Sequence, residues 1–178
     1  HKPKANAKPG IAKNGGMMDK EWRKGFEALS KFGLRFDLQT PWWHMKEAQS
    51  LARNYPNTSI IINHSGLPSD RSKEGVEAWT KAMKMASECP NISVKISGIG
   101  IPNKPWTAEA NRQVVKTLIE LFGIDRCMFA SNFPVDKICA SFDEIFLGFE
   151  EIVSDLTDGE QDKLFRLNAV RTYDMGLA

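Results

Sequence analysis

Apolar and polar residues alternate with two different periods along the chain, and these periods predict strands and helices in turn. Residues 34–39 alternate apolar with polar side chains, which is typical of a half-buried strand. Residues 59–63 are almost continuously apolar and rich in β-branched side chains, which is typical of a strand covered on both faces. Two further strands are predicted at residues 92–96 and 126–131.

Segments with apolar residues at helical spacing precede, separate and follow these strands. Asp19 is a predicted N-cap, because Trp22, Phe26 and Leu29 follow it at helical spacing before Gly33. The other predicted helices cover residues 43–54, 73–89, 107–122, 141–156 and 158–173. Buried strands that alternate with helices predict an α/β fold, in which helices cover a parallel sheet.

Two α/β architectures are compatible with this alternation. An open doubly wound sheet that binds a nucleotide carries a glycine-rich phosphate loop, and neither GxGxxG nor GxxxxGK[ST] follows a predicted strand. A parallel (β/α) barrel of the TIM type has eight strands and typically about 200 or more residues. This chain has 178 residues and four predicted strands. By its length alone, the chain is compatible with half of such a barrel, about four βα units.

The composition is that of a globular protein, with 42% hydrophobic and 26% charged residues. A net charge of +2 is too small to indicate nucleic acid or an anionic membrane as the partner. No apolar run reaches the roughly 18 residues of a membrane span, and the N-terminal residues lack the apolar stretch of a secretory signal. Cys89, Cys127 and Cys139 form neither a CxxC pair nor an even set, so a cytoplasmic location is expected.

The N-terminal segment differs from the rest of the chain. Residues 1–17 begin with His1 rather than Met and contain four lysines with few apolar side chains. We interpret this segment as a flexible basic arm or as the truncated edge of a longer protein. Residues 18–178 are then the folded domain.

Polar side chains follow each predicted strand, at the ends where both α/β architectures place their reactive groups. His64 is the strongest candidate, because a neutral imidazole at a strand end can bind a divalent metal or transfer a proton. Ser65 and Gly66 predict a small turn that leaves the imidazole open to a cleft. The alternative is that His64 only donates a hydrogen bond to a neighbouring loop carbonyl.

Asn132 and Asp136 flank a Phe-Pro pair after the last predicted strand. A carboxylate at this position can activate water, whereas an amide can only orient a group by hydrogen bonding. The alternative for Asp136 is a helix N-cap or an ion pair with Lys137. His44 is a weaker candidate, and we expect it at the surface or at a helix cap.

Other strand-end residues are expected to shape a pocket around these groups. Trp42 and Trp43 can form a wall for an apolar or sugar-like substrate, although packing under a helix is the more common role. Gln39 and Ser97 are expected to contribute polar contacts to the substrate. Cys127 lies within a predicted strand, and we expect no nucleophilic role for it.

The strand-end motifs together resemble the amidohydrolase-related (amidohydrolase 2) family, which contains sugar-lactone and pyrone-dicarboxylate lactonases. The resemblance extends from Met18 to Gly176. It rests on five motifs in the family's order: Phe36-Asp37-Leu38-Gln39, Ile62-Asn63-His64-Ser65-Gly66, Val94-Lys95-Ile96-Ser97-Gly98, Met128-Phe129-Ala130-Ser131-Asn132-Phe133-Pro134 and Asn168-Ala169-Val170-Arg171-Thr172-Tyr173.

The resemblance implies a distorted (β/α)8 barrel, to which this chain would contribute strands five to eight. His64 stands at the position of the family's strand-six histidine, which implies a catalytic role and a metal ligand. Asn132 stands where the family has the aspartate that usually acts as base for the hydrolytic water. Either Asp136 replaces that base, or the chain performs different chemistry, or it is not a competent hydrolase. The His-x-His pair of the family's first strand has no counterpart in this sequence.

The resemblance also implies an activity, which is hydrolysis of a sugar-derived or dicarboxylate lactone by water attack on the ester carbonyl. It implies a small-molecule substrate and either one divalent metal, zinc first, or no metal, because some lactonases of the family work without one. The expected partner is a missing N-terminal barrel half or a second copy that completes the barrel. The alternatives are a non-catalytic binding or scaffold protein, which Asn132 favours, and a metal-dependent decarboxylase.

Overall fold

The computed structural model describes residues 16–176, so most of the predicted basic arm lies outside the described residues. The chain divides into two compact units, one ending at Ser93 and one beginning at Val94. Its four strands are hydrogen-bonded in the order β1-β2-β3-β4. Met17 is 2% exposed, so the described structure already begins with a buried side chain.

The first unit is an alternation of helices with short parallel strands. Its elements are α1 (Lys20–Lys31), β1 (Phe36–Leu38), α2 (Met45–Asn54), β2 (Ile60–Ile62), α3 (Lys73–Ser87) and the start of β3 (Ile92–Ile96). β1 and β2 are parallel, with Phe36 opposite Ile60 and Leu38 opposite Ile62. α2 packs against α3. All of β2 is buried, which confirms the prediction made from its continuous apolar sequence.

The second unit continues the same pattern. It contains the rest of β3, then α4 (Ala108–Phe122), β4 (Cys127–Phe129), α5 (Phe142–Ile152), α6 (Asp158–Asp162) and α7 (Asn168–Tyr173). β3 and β4 are parallel, with Val94 opposite Cys127. The ring of Phe129 on β4 stacks on Phe149 of α5, with 4.3 Å between ring centroids. Among the described helices, none is both long and apolar enough to span a membrane.

Side-chain oxygens cap the N-termini of five of the helices described in residues 16–176. Each accepts a hydrogen bond from the backbone N–H three residues further on, which stabilises a helix by about 1 kcal/mol. The predicted cap at Asp19 is confirmed. The five capping residues are Asp19, Ser72, Thr107, Ser141 and Thr157.

The first strand is shorter than its alternating sequence predicts, because the residues just before it form the end of α1. Gly33 has a φ of 63°, and the Leu34 N–H donates to the Leu29 carbonyl at 2.9 Å. This is the hydrogen-bond pattern of a Schellman helix end. Leu34 therefore belongs to the helix terminus, and β1 begins only at Phe36.

The last predicted helix, residues 158–173, is regular only at its ends. Residues Lys163–Leu167 form a π-helical turn between α6 and α7. Leu164 and Asn168 are both buried. Side chains four residues apart lie on nearly the same face in either winding, so the apolar spacing could not distinguish them.

Candidate active site

The turn that carries His64 is left-handed. His64, Ser65, Gly66 and Leu67 have φ values of 54°, 55°, 67° and 58°. The Leu67 N–H donates to the His64 carbonyl at 2.7 Å, which closes the turn. This conformation destabilises each residue that carries a Cβ by roughly 1–2 kcal/mol. The small turn predicted from Ser65 and Gly66 is confirmed, and its handedness is the new finding.

Helix α3 packs against this turn and supports it. The indole Nε1 of Trp79 donates to the Ser65 carbonyl oxygen at 2.8 Å, and the bond is buried. A Cβ added to Gly66 would lie 2.9 Å from the Met83 Sδ atom, so a larger residue there would displace the Met83 side chain and would also be strained at a φ of 67°. His64 itself is half-buried directly beyond the carboxyl end of β2.

The end of β1 lies beside this turn within the first unit. Leu38, the last residue of β1, accepts a hydrogen bond from the Asn63 N–H at 2.9 Å. Gln39 follows Leu38 and is half-buried. The structure therefore brings the segments that carry Gln39 and His64 together, as predicted for neighbouring parallel strands.

Trp42 and Trp43 follow β1 in a 3-10 turn that ends at His44. Both indole side chains are half-buried. Their rings meet edge to face, with 5.5 Å between centroids. The pair therefore retains accessible aromatic surface beyond the carboxyl end of β1, where the sequence predicted a pocket wall.

His44 occupies the N-cap position of α2, one of the two places expected from the sequence, but it is buried rather than at the surface. It is 1% exposed, and its side chain makes no capping hydrogen bond to α2. Its Nδ1 atom lies 3.3 Å from the Glu47 Oε1 atom, although neither ring nitrogen has a hydrogen bond to another described residue. The buried Thr40 Oγ1 likewise has no such partner within residues 16–176. The sequence analysis missed Thr40 and the burial of His44, because their neighbours in sequence indicated only a helix start.

In the second unit, Asn132 and Asp136 are brought together. The Asn132 Nδ2 atom donates to the Asp136 Oδ1 atom at 2.8 Å. Asn132 has a φ of 55°, and Asp136 is 6% exposed within the 3-10 turn Val135–Ile138. Pro134 is the residue before that turn, so the N-cap alternative for Asp136 is wrong. A donated amide hydrogen bond fixes the orientation of the carboxylate.

Ser97 and Gly98 follow β3, as the sequence predicted. Ser97 is 2% exposed, and Gly98 has a φ of 59°. The neighbouring loop also approaches Asp136, because a Cβ added to Gly100 would lie 3.4 Å from the Asp136 Oδ2 atom and 3.0 Å from the Cys139 Sγ atom. Burial, followed by the negative charge of Asp136, raises the pKa of the Cys139 thiol.

A complete metal site is not formed by the described part of the chain. Within residues 16–176, no three His, Cys, Asp or Glu side chains are grouped so that they could hold a metal ion. Structural and catalytic zinc sites generally use three or four such ligands. The described residues therefore do not fit a metal by themselves, and the role of His64 as a metal ligand stays a prediction.

The fold is similar to solved amidohydrolase structures. Two crystal structures of an amidohydrolase from Burkholderia multivorans, one with bound HEPES and one with bound zinc, match with a TM-score of 0.80. They are 22% and 20% identical to this chain and match 89% of it, with 59% and 58% of their own length covered. This similarity shows that the four parallel strands form part of a TIM-type (β/α) barrel.

Two curated relatives and a family match complete the comparison. The uncharacterized protein y4mH of Sinorhizobium fredii is 45% identical over 86% of this chain and 51% of its own length. The L-fucono-1,5-lactonase of Burkholderia ambifaria is 26% identical over 71% of this chain and 46% of its own length. The chain thus spans about half the length of these relatives. Residues 7–175 match the family described as Amidohydrolase, and the chain therefore belongs to the amidohydrolase family.

Proposed function

We propose that this chain takes part in the hydrolysis of a sugar-derived lactone, in which water attacks the ester carbonyl. The observation that carries the proposal is the placement of His64, which a supported left-handed turn holds beyond the carboxyl end of β2. Reactive groups of parallel α/β barrels lie at these strand ends. The lactonase relative reported above supports the substrate class.

The reaction needs one group that polarises the carbonyl and one that accepts a proton. Water adds to the carbonyl carbon, the ring C–O bond breaks, and the leaving oxygen takes a proton to give an open-chain hydroxy acid. An imidazole can donate a hydrogen bond to the carbonyl oxygen and exchange protons near neutral pH. We assign this role to His64.

The family resemblance assigns the second role to the Asn132–Asp136 pair, which the second unit holds together on its own. The carboxylate of Asp136 can accept the proton of the attacking water, whereas the Asn132 amide cannot take a proton at neutral pH. The hydrogen bond from Asn132 Nδ2 occupies Asp136 Oδ1, so we assign the contact with water to Oδ2. We therefore propose that Asp136 acts as the base and that Asn132 orients it.

The accessible aromatic pair after β1 favours a sugar lactone over a dicarboxylate lactone. The segment between β1 and α2, residues 39–44, contains no lysine or arginine, whereas the loops after β2, β3 and β4 carry Arg71, Lys104 and Lys137. Carboxylate groups are usually bound by these cations, whereas sugar rings pack on aromatic faces and hydrogen-bond through hydroxyl groups. Within the first unit, Trp42 and Trp43 are the proposed wall for the ring and Gln39 the proposed polar contact. Ser97, in the second unit, stays a predicted polar contact.

The test is acid release from L-fucono-1,5-lactone and from a pyrone dicarboxylate by the full-length gene product. Spontaneous hydrolysis is measured without protein and subtracted. We expect turnover of the sugar lactone and little of the dicarboxylate. Binding of the sugar lactone by calorimetry without turnover would instead support the binding-protein alternative. A chelated sample, assayed again after zinc is added, tests the predicted metal.

A further inference from the structure

We propose that Trp79 is a positioning residue, whose indole N–H holds the left-handed turn and so determines where the His64 imidazole points. The catalytic consequence rests on the function proposed for His64. The contact itself does not, because it is a hydrogen bond of 2.8 Å between Trp79 Nε1 and the Ser65 carbonyl oxygen.

The turn has a conformation that its own residues do not favour. Three of its four successive left-handed residues, His64, Ser65 and Leu67, carry a Cβ. Such a segment persists only where its surroundings over-determine it, since each residue of this kind costs on the order of 1–3 kcal/mol. Its own backbone contributes hydrogen bonds from Gly66 to Asn63 at 3.2 Å and from Leu67 to His64 at 2.7 Å.

Helix α3 contributes a rigid template for this conformation. Trp79 and Met83 are four residues apart, so they lie on one face of α3, and both are 0% exposed. Trp79 contacts Ser65, and Met83 lies against Gly66. Two successive residues of the turn, directly after His64, are therefore fixed by one helix face.

Without this hydrogen bond, the turn can relax to a different backbone conformation. Ser65 is 0% exposed, and a buried carbonyl that loses its donor pays a desolvation cost. Rotation of the Ser65 peptide toward ordinary φ values would relieve the backbone strain and move the adjacent His64. The substitution Trp79→Phe keeps a buried aromatic side chain at this position. It removes the indole N–H donor and reduces the ring area.

Trp106 provides a matched control for this substitution. It is also buried, at 7% exposure, but its Nε1 atom has no hydrogen-bond partner in the described part of the chain. Trp106→Phe therefore removes a similar ring area, together with an N–H that donates no hydrogen bond to a described residue. Both variants lose packing, and Trp79→Phe alone loses the link to the His64 turn.

The experiment compares Trp79→Phe and Trp106→Phe in the full-length gene product. It measures the ¹³Cε1–¹Hε1 NMR signal of His64, assigned with His64→Ala, and the kcat and KM for L-fucono-1,5-lactone. We expect Trp79→Phe to shift or split the His64 signal and to lower kcat by about 10- to 100-fold with KM nearly unchanged. Trp106→Phe should change neither quantity.

An unchanged His64 signal and kcat in Trp79→Phe would overturn the proposal. If Trp79→Phe fails to fold, Trp79→Met takes its place, because Met fills the site with a flexible apolar side chain and also lacks the N–H donor, and Trp106→Met is its control. Trp79→Met should shift the His64 signal, and an unshifted signal would again overturn the proposal. Activity that survives in His64→Ala would disprove the proposed function, while the NMR comparison would still test the positioning.

Discussion

Burial determines how reactive the cysteine thiols of this chain are. Cys89 and Cys127 are 2% and 0% exposed, whereas Cys139 is half-buried. Burial raises the pKa of Cys127 to about 12. Because the thiolate is the nucleophile, Cys127 is almost entirely in its unreactive form at neutral pH. This agrees with the inert role expected from its position within a strand.

The residue-scale prediction concerns thiol labelling. In the folded protein at pH 8, iodoacetamide should modify Cys139 before Cys127 and Cys89, because Cys139 is the most accessible of the three thiols. Peptide mapping by mass spectrometry measures each site, and labelling in denaturant is the control in which all three react. Cys127 modified as fast as Cys139 in the folded protein would contradict the structure.

Helix ends show how short sequence patterns fix whole elements. At the start of α5, Ser141 Oγ accepts from the Glu144 N–H at 3.3 Å, and Glu144 Oε2 accepts from the Ser141 N–H at 2.7 Å. These two hydrogen bonds form a capping box. The bond from the Ser141 backbone, followed by that from its side chain, lowers the pKa of Glu144.

The element-scale prediction follows from the direction of this shift. Because the pKa of Glu144 is lower in the folded than in the unfolded protein, its ionisation stabilises the fold above the unfolded pKa, and this contribution is lost as pH falls through the folded pKa. Urea unfolding should show Glu144→Gln to be less stable than the native chain at pH 7. The difference should shrink at pH 3, and an equal difference at both values would contradict the assignment. Glu109→Gln in the first turn of α4 is the control.

The order of elements could be predicted from the sequence because side-chain periodicity carries it. Features set by backbone hydrogen bonds could not, and the late start of β1 after the Leu34–Leu29 bond is one example. At the candidate site, the position of His64 after β2 was predictable. The left-handed turn and its support by Trp79 were not, since a buried tryptophan in a helical pattern indicates only core packing.

At the scale of the whole molecule, the sheet order leaves β1 and β4 with one neighbour each among residues 16–176. Phe32 and Leu34, which precede β1, are 75% and 53% exposed. Unpaired strand edges with apolar surroundings favour association, and closure of a barrel removes them. We propose that residues outside this chain, or a second copy of it, pair with these edges.

The most direct measurement is acid release from L-fucono-1,5-lactone by the full-length gene product and its His64→Ala and His64→Gln variants. The account predicts that His64→Ala lowers kcat by about 100- to 10,000-fold, as expected for loss of an acid–base group, while the thermal unfolding midpoint stays close to that of the native protein. Gln keeps a hydrogen-bond donor but cannot exchange a proton, so a partial recovery in His64→Gln would assign carbonyl polarisation to His64. Turnover that is unchanged in a folded His64→Ala variant would contradict the account.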